Sequence, residues 1–523
     1  MNMLNGTMRR IRSLQRWDSA SIRILGLIEL LLAAALVVNA VYALAVGERA
    51  YYFTYLIPFV GGLGLFQTLF FSSKSKLNPA TGILLIAVMW LISFLVASLP
   101  FILYGMPVVD AFFEGVSGYT TTGGTAVEDL SVMPSSLLLW RGIIQWTGGI
   151  TILLSFAFLL PAIGMGGAGF NSNEFAGSDS GNFTMKVTSA SLNFLKVYAL
   201  LTIAEVIALM VCSVSIFDAV CITLSNIPTG GLLPRNESMA CYSIYAQAVT
   251  LVFMLLGATN FYLVFRAMFK KDAAIARNGE QRAMLTWFLL VSIIIFLAYI
   301  IPERPELDSD TVCGSLWKAV FCVISSGTGT GFAIFSYSSL SGAGNLAFIF
   351  MMLMIVEFMG GCSGSTTGGI KIYRMMALKS YIGNSMNRVL HPNAVVSIKA
   401  NGRYMDEEAV NNALSTVFLF IICTFVGLAL VMIFDPWLDL QQQFGVVMSA
   451  ISNAGIGPLD TYASLSVETK VVMCFLMWLG RMEMVMVFIL FTKGFWTDIK
   501  LEVGKKKGFG NRARSRYDRK GRA

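Results

Sequence analysis

The sequence predicts an all-α polytopic membrane protein, with four parallel helix, pore-loop, helix repeats around a central pore and two extra transmembrane helices before them. Three observations carry this prediction. Of 523 residues, 56% are hydrophobic and only 13% charged, against roughly 25% charged in soluble domains. The apolar residues fall in nearly uncharged runs of about 20, the length that crosses a hydrocarbon layer of roughly 30 Å as a helix. A glycine-centred loop then recurs four times at intervals of about a hundred residues, the mark of an internal repeat. A soluble chain of this length would need several cores joined by polar linkers, and the sequence shows no such linkers.

The elements follow in order. Residues 1–78 hold a basic N-terminal tail (Arg9, Arg10, Arg12, Arg16) and apolar runs at 22–46 and 51–71. The first run is too long for a signal peptide and lacks a cleavage motif, so it is expected to stay as a span. The first repeat, 79–190, has runs at 80–103 and 137–160; the second, 191–281, at 192–213 and 244–268; the third, 282–405, at 284–301 and 343–370; the fourth, 406–500, at 411–434 and 468–494. Ten spans are thus expected. Between the two runs of each repeat lies a moderately apolar stretch too short to cross a bilayer, followed by a glycine loop. The loops run from Tyr119 to Thr125, Asn226 to Leu232, Ser326 to Phe332 and Ser452 to Pro458. Aligning Gly123, Gly230, Gly331 and Gly455 gives spacings of 107, 101 and 124 residues. All four units start on one side, so the repeats are parallel.

Charge orients the chain. The net charge of +8 is matched by the tail from Lys505 to Ala523, where nine basic residues face the single acid Asp518. Such a tail after a span reads as an anchor beside anionic lipid rather than a nucleic-acid reader. Lys74 and Lys76, the stretch from Arg266 to Arg282, the stretch from Lys371 to Arg403 and both termini fall on one face, which the positive-inside rule makes cytoplasmic. Eight cysteines without a CxxC pair indicate neither a disulfide framework nor a zinc site. The lone histidine, His391, sits in a basic loop and is expected to be solvated.

The glycine loops are the candidate site. Irregular backbone at membrane depth persists only where protein buries it or where it lines a watery path. Four loops converging on an axis would offer rings of carbonyl oxygens in place of an ion's hydration shell, with glycine supplying backbone angles costly to other residues. Two further stretches stand out. Nine of the ten residues from Gly360 to Gly369 are Gly, Ser or Thr, a composition that either breaks the helix against protein or water or forms a helix-packing stripe. Arg481 lies within an apolar run, where a charge costs at least about 2.5 kcal/mol unless it finds a partner or water; an ion pair with Glu357 or Glu483 is one reading. Glu114 would either tie down the first loop or bias the vestibule toward cations.

These units, with Phe113 through Gly123 in the first, resemble the Trk/Ktr/HKT superfamily of cation transporters. The two preceding spans, the Gly360 to Lys371 stretch and Leu479 to Glu483 make the chain most similar to the TrkH/TrkG membrane subunits of bacterial Trk potassium uptake systems. The resemblance implies K+ as the transported ion and a selectivity filter of Thr121, Thr122, Gly123, Pro228, Thr229, Gly230, Gly329, Thr330, Gly331, Asn453, Ala454 and Gly455. It implies an intramembrane gate of Gly360, Gly361, Cys362, Ser363, Gly364, Ser365, Thr366, Thr367, Gly368, Gly369 and Lys371 with Arg481. A homodimer in the bacterial inner membrane, both termini cytoplasmic, and a TrkA-like cytosolic ring subunit carrying the nucleotide also follow from it. A carrier coupling K+ to Na+ or H+ is the alternative. A membrane-embedded enzyme would need a convergent nucleophile, base or metal ligands, which the sequence does not offer.

Overall fold

The computed structural model describes residues 19–71, 79–159, 180–300, 309–340, 344–391, 398–400, 403–405, 407–497 and 499. The basic termini, Lys74 and Lys76 lie outside the described residues. Among the described residues the architecture is helical, with one two-residue antiparallel pair, Lys399–Ala400 against Arg403–Tyr404.

Among the described residues, seven helical stretches are long and apolar enough to cross a membrane. They include Ser19–Val46, Pro79–Tyr104, Ser135–Leu159, Ser180–Val211, Gly279–Ile300 and Glu407–Phe434. The backbone satisfies itself within each helix, which is what a medium without water demands. The first helix packs on Ile57–Phe70 at close range. A Cβ on Gly26 would lie 2.8 Å from the Gly64 carbonyl oxygen, so only glycines permit that approach.

Three expected spans are not continuous helices. Ile244–Ala258 and Phe261–Lys270 meet at 108°, and Val467–Arg481 and Met484–Leu490 at 112°. The expected span 343–370 is a 15-residue helix, Asn345–Met359, that stops at Gly360, whose φ is +67°. Irregular backbone then runs to Lys371, and Ile372–Leu390 resumes the helix. The breaks are built in. Asn260 accepts from the Tyr262 N–H at 2.9 Å, capping the new helix, while its Nδ2 donates to the Ser363 carbonyl at 2.7 Å. The small residues after Gly360 give a helix little to pack, and tertiary bonds take its place.

Four short helices point into the centre of the bundle: Val108–Tyr119, Ile216–Asn226, Ser309–Gly327 and Leu440–Ser452. Ser215 caps the second through the Asp218 N–H, and Asp439 forms a capping box with Gln442 on the fourth. Each ends in a glycine loop, and their carboxyl-terminal halves are buried.

Candidate functional site at the four-loop ring

The four loops meet as a closed ring. A Cβ on Gly123 would collide with the Gly230 carbonyl oxygen, one on Gly231 with that of Thr330, one on Gly331 with that of Ala454, and one on Gly455 with that of Thr122. Each loop therefore presses its glycine on the next loop's carbonyl, and the fourth closes on the first. The four glycines have φ of +91°, +90°, +80° and +65° in chain order, a region that disfavours any side chain.

This geometry corrects one register. Positive φ falls at Thr121 and Gly123, Thr229 and Gly231, Gly329 and Gly331, Asn453 and Gly455. The equivalent of Gly123 in the second loop is Gly231, not Gly230, and Pro228 drops out of the matched positions. The same offset appears in the hydrogen bonds. Thr122, Gly230, Thr330 and Ala454 donate their N–H groups to the carbonyls of Ser117, Ser225, Ser325 and Ser449, at 2.8, 2.7, 3.0 and 3.2 Å. A serine six residues before each ring glycine is a signal the sequence carries and the glycine alignment overlooked.

Side chains behind the ring hold it. Glu114 is wholly buried and pairs with Arg141 at 3.2 Å. Its other oxygen accepts from the Thr125 hydroxyl at 2.5 Å and the Ala126 N–H at 2.7 Å. Of the two readings of Glu114, the structure takes the first: it ties down the loop, and Arg141 balances its charge. Gln145 donates to the Gly230 carbonyl at 2.6 Å and accepts from the Leu232 N–H at 3.3 Å. Asn453 donates to the Thr122 hydroxyl and the Met477 carbonyl, each at 2.9 Å. Sequence reading did not single out Arg141 or Gln145, because neither residue type in an apolar run announces which loop it will reach.

The two faces of the ring differ. On one, Gly123, Gly231, Gly331 and Gly455 all open on a cavity of about 540 Å³. Its charged lining includes Arg235, which bonds Asp218 at 2.8 Å, and the side chains of Glu128, Glu237 and Asp460. At its rim, Asn236 and Ser131 donate to Asp129 and hold that carboxyl below its ordinary value.

On the other face the ring is covered. The stretch from Gly360 to Gly369 is irregular backbone, which excludes the helix-packing stripe. Thr366 donates to the Ile227 and Gly257 carbonyls at 3.2 Å and accepts from the Thr229 hydroxyl at 3.3 Å. A Cβ on Gly368 would collide with the Ser452 carbonyl oxygen. Glu280 accepts from the Ser363 N–H at 2.6 Å, and the Cys362 thiol donates to Gln281 at 3.3 Å. The stretch thus lies against the second and fourth loops. Arg481 covers the first, donating to the Thr121 hydroxyl at 2.5 Å.

Two readings are decided here. Arg481 makes no ion pair with Glu357 or Glu483, since Glu483 pairs with Arg374. Lys371, named both for the gate and as the start of the basic stretch, is buried with the gate residues, and its ammonium bonds the Thr367 carbonyl and, at 2.8 Å, the Thr367 hydroxyl. His391 is exposed at the end of Ile372–Leu390, and all eight cysteines are free.

Comparison with known proteins adds the following. The cation transport protein family TrkH matches residues 67–498. The chain is 29% identical over 459 residues to the Trk system potassium uptake protein TrkG of Escherichia coli, covering 85% of this chain and 91% of that protein. It is 28% identical over 498 residues to the Trk system potassium uptake protein TrkH of Salmonella typhimurium, covering 91% and 99%. The crystal structure of the potassium transporter TrkH from Vibrio parahaemolyticus superposes with a TM-score of 0.79 at 26% identity, covering 92% of this chain and all of that one.

Proposed function

The chain belongs to the TrkH family of cation transport proteins, and on that premise we propose that it takes up potassium ions through the ring of four loops. One observation carries the reading: four parallel loops close a ring of backbone carbonyls between a wide cavity and a covered face. Carbonyl oxygens held by glycine geometry replace the hydration shell of a large monovalent cation. The filter consists of Thr121, Thr122 and Gly123, Thr229, Gly230 and Gly231, Gly329, Thr330 and Gly331, and Asn453, Ala454 and Gly455. One glycine is common to all four loops, so fewer strong sites form than in a filter with a longer identical motif, and discrimination is moderate.

The gate is the stretch from Gly360 to Gly369 with Arg481. A positive charge in a narrow, poorly screened passage raises the barrier to a cation. The wide cavity faces outward, both termini lie in the cytoplasm, and the protein works as a homodimer in the bacterial inner membrane. A cytosolic nucleotide-binding ring subunit docks on the basic inner loops and draws the gate aside. Broken helices would also suit a coupled carrier, but the repeats here are parallel, which favours passive conduction.

Flux into liposomes with K+, Rb+ or Na+ as the sole permeant ion tests the function. K+ and Rb+ should pass well and Na+ less well; Na+ passing faster than K+ would refute the reading. For the gate, deletion within 360–369 should raise K+ flux without the partner. Well-folded deleted protein with unchanged basal flux would remove that assignment.

A further inference from the structure

We propose that the small cavity beneath the ring binds a monovalent anion of chloride size. The cavity is about 20 Å³, and its lining includes Thr367, Gly368, Lys371, Arg374, Arg481 and Glu483. Its charges do not cancel. Arg374 and Glu483 neutralise one another as an ion pair. Arg481 is only 4% exposed, and its Nη2 is satisfied by the neutral Thr121 hydroxyl. Its Nε and Nη1 are buried and have no hydrogen-bond partner among the described residues. Lys371 is equally enclosed, and its partners, the Thr367 carbonyl and hydroxyl, are neutral too. Two cationic side chains therefore line one small space, and Glu483, the one carboxylate among the described residues that line it, is already paired.

A guanidinium does not release its proton inside a protein. Burial of Arg481 must be compensated by something that enters the cavity. Unsatisfied N–H donors on a positive group select an acceptor carrying negative charge. The volume selects its size: about 10–15 Å³ is enough for one water molecule, so a monatomic anion fits and phosphate, sulfate or a carboxylate does not. The inference goes beyond the transport reading, because the site stands whichever cation the ring admits. An anion there would also offset the positive barrier that Arg481 presents from below.

The test uses the purified full-length protein. Crystals grown in bromide should show an anomalous peak within hydrogen-bond distance of Arg481 Nε or Nη1. In solution, at fixed K+ and ionic strength, replacing gluconate by chloride or bromide should raise the thermal unfolding midpoint and saturate with halide concentration. Arg481→Gln should abolish that increment, and Lys371→Met should raise the half-saturating halide concentration several-fold. Equal midpoints in gluconate and chloride with no bromide peak would show that the cavity holds water only and would overturn the proposal. A halide shift of full size in Arg481→Gln would place the ion elsewhere and overturn it as well. If Arg481→Gln does not fold, the bromide experiment on the unaltered protein decides alone.

Discussion

The first and third loops of the ring share a pair of internal hydrogen bonds that the second and fourth lack. In the first, the Ser117 hydroxyl donates to the Gly124 carbonyl at 2.6 Å, and Thr120 and Thr122 share a hydrogen bond at 2.8 Å. The third repeats both contacts: Ser325 to the Phe332 carbonyl at 2.7 Å, and Thr328 with Thr330 at 2.8 Å. The second has serine at the matched place, yet the Ser225 hydroxyl has no partner among the described residues. Gln145, from the preceding repeat, holds that loop instead. In the fourth, Asn453 reaches across to Thr122 of the first loop. One backbone geometry is thus reached twice with the same pair of internal bonds and twice without them. A fourfold backbone does not require fourfold side chains.

The strongest way to break this comparison is at the glycines of the second loop. Gly231→Ala puts a Cβ at φ +90° and into the Thr330 carbonyl oxygen, so K+ preference over Na+ should be lost. Gly230→Ala keeps an ordinary φ and meets the end of the Gln145 side chain, so it should lose preference only to the extent that Gln145→Leu does. Flux ratios in liposomes distinguish the two, and equal damage from both would undo the register assigned here.

Next in size is Arg141→Met, which leaves Glu114 buried without its partner beside the first loop. It should cost about 3–5 kcal/mol of stability, read as a lowered unfolding midpoint. Glu114→Gln with Arg141→Met should recover part of the loss.

Gln145→Leu removes the brace of the second loop from outside that loop. Loss of the bonds to Gly230 and Leu232 should cost about 1–3 kcal/mol and reduce K+ preference over Na+ at unchanged expression. Unaltered selectivity in this variant would mean that the second loop stands without help.

The smallest effects separate the serines. Ser325→Ala loses one buried hydrogen bond, about 0.5–1.5 kcal/mol, while Ser225→Ala should be close to neutral because its hydroxyl bonds nothing described. Thermal unfolding of the two variants side by side measures the difference. A larger loss at Ser225 would reverse the contrast.

What the sequence by itself determined is whatever a short window encodes. Uncharged apolar runs must become helices in a medium without water, so the membrane class and most spans were legible. The helix break at Gly360 was legible because small residues in a row give a helix no apolar face. The recurrence of glycine marked all four loops, since a ring of carbonyls needs φ values that other residues resist. The tertiary structure decided what depends on residues far apart in the chain. In Gly230 and Gly231 two adjacent glycines compete for one place, and only the Gly123 and Thr330 contacts from neighbouring loops choose between them. Arg481 finds Thr121 across 360 residues, and Glu114 takes Arg141 from the next helix. Lys371 opens a basic stretch, yet its own loop folds it inward onto Thr367. Periodicity and composition report which backbone state a segment can afford. They carry no term for which distant partner will satisfy a buried polar group, and that choice is made only when the repeats close on one another.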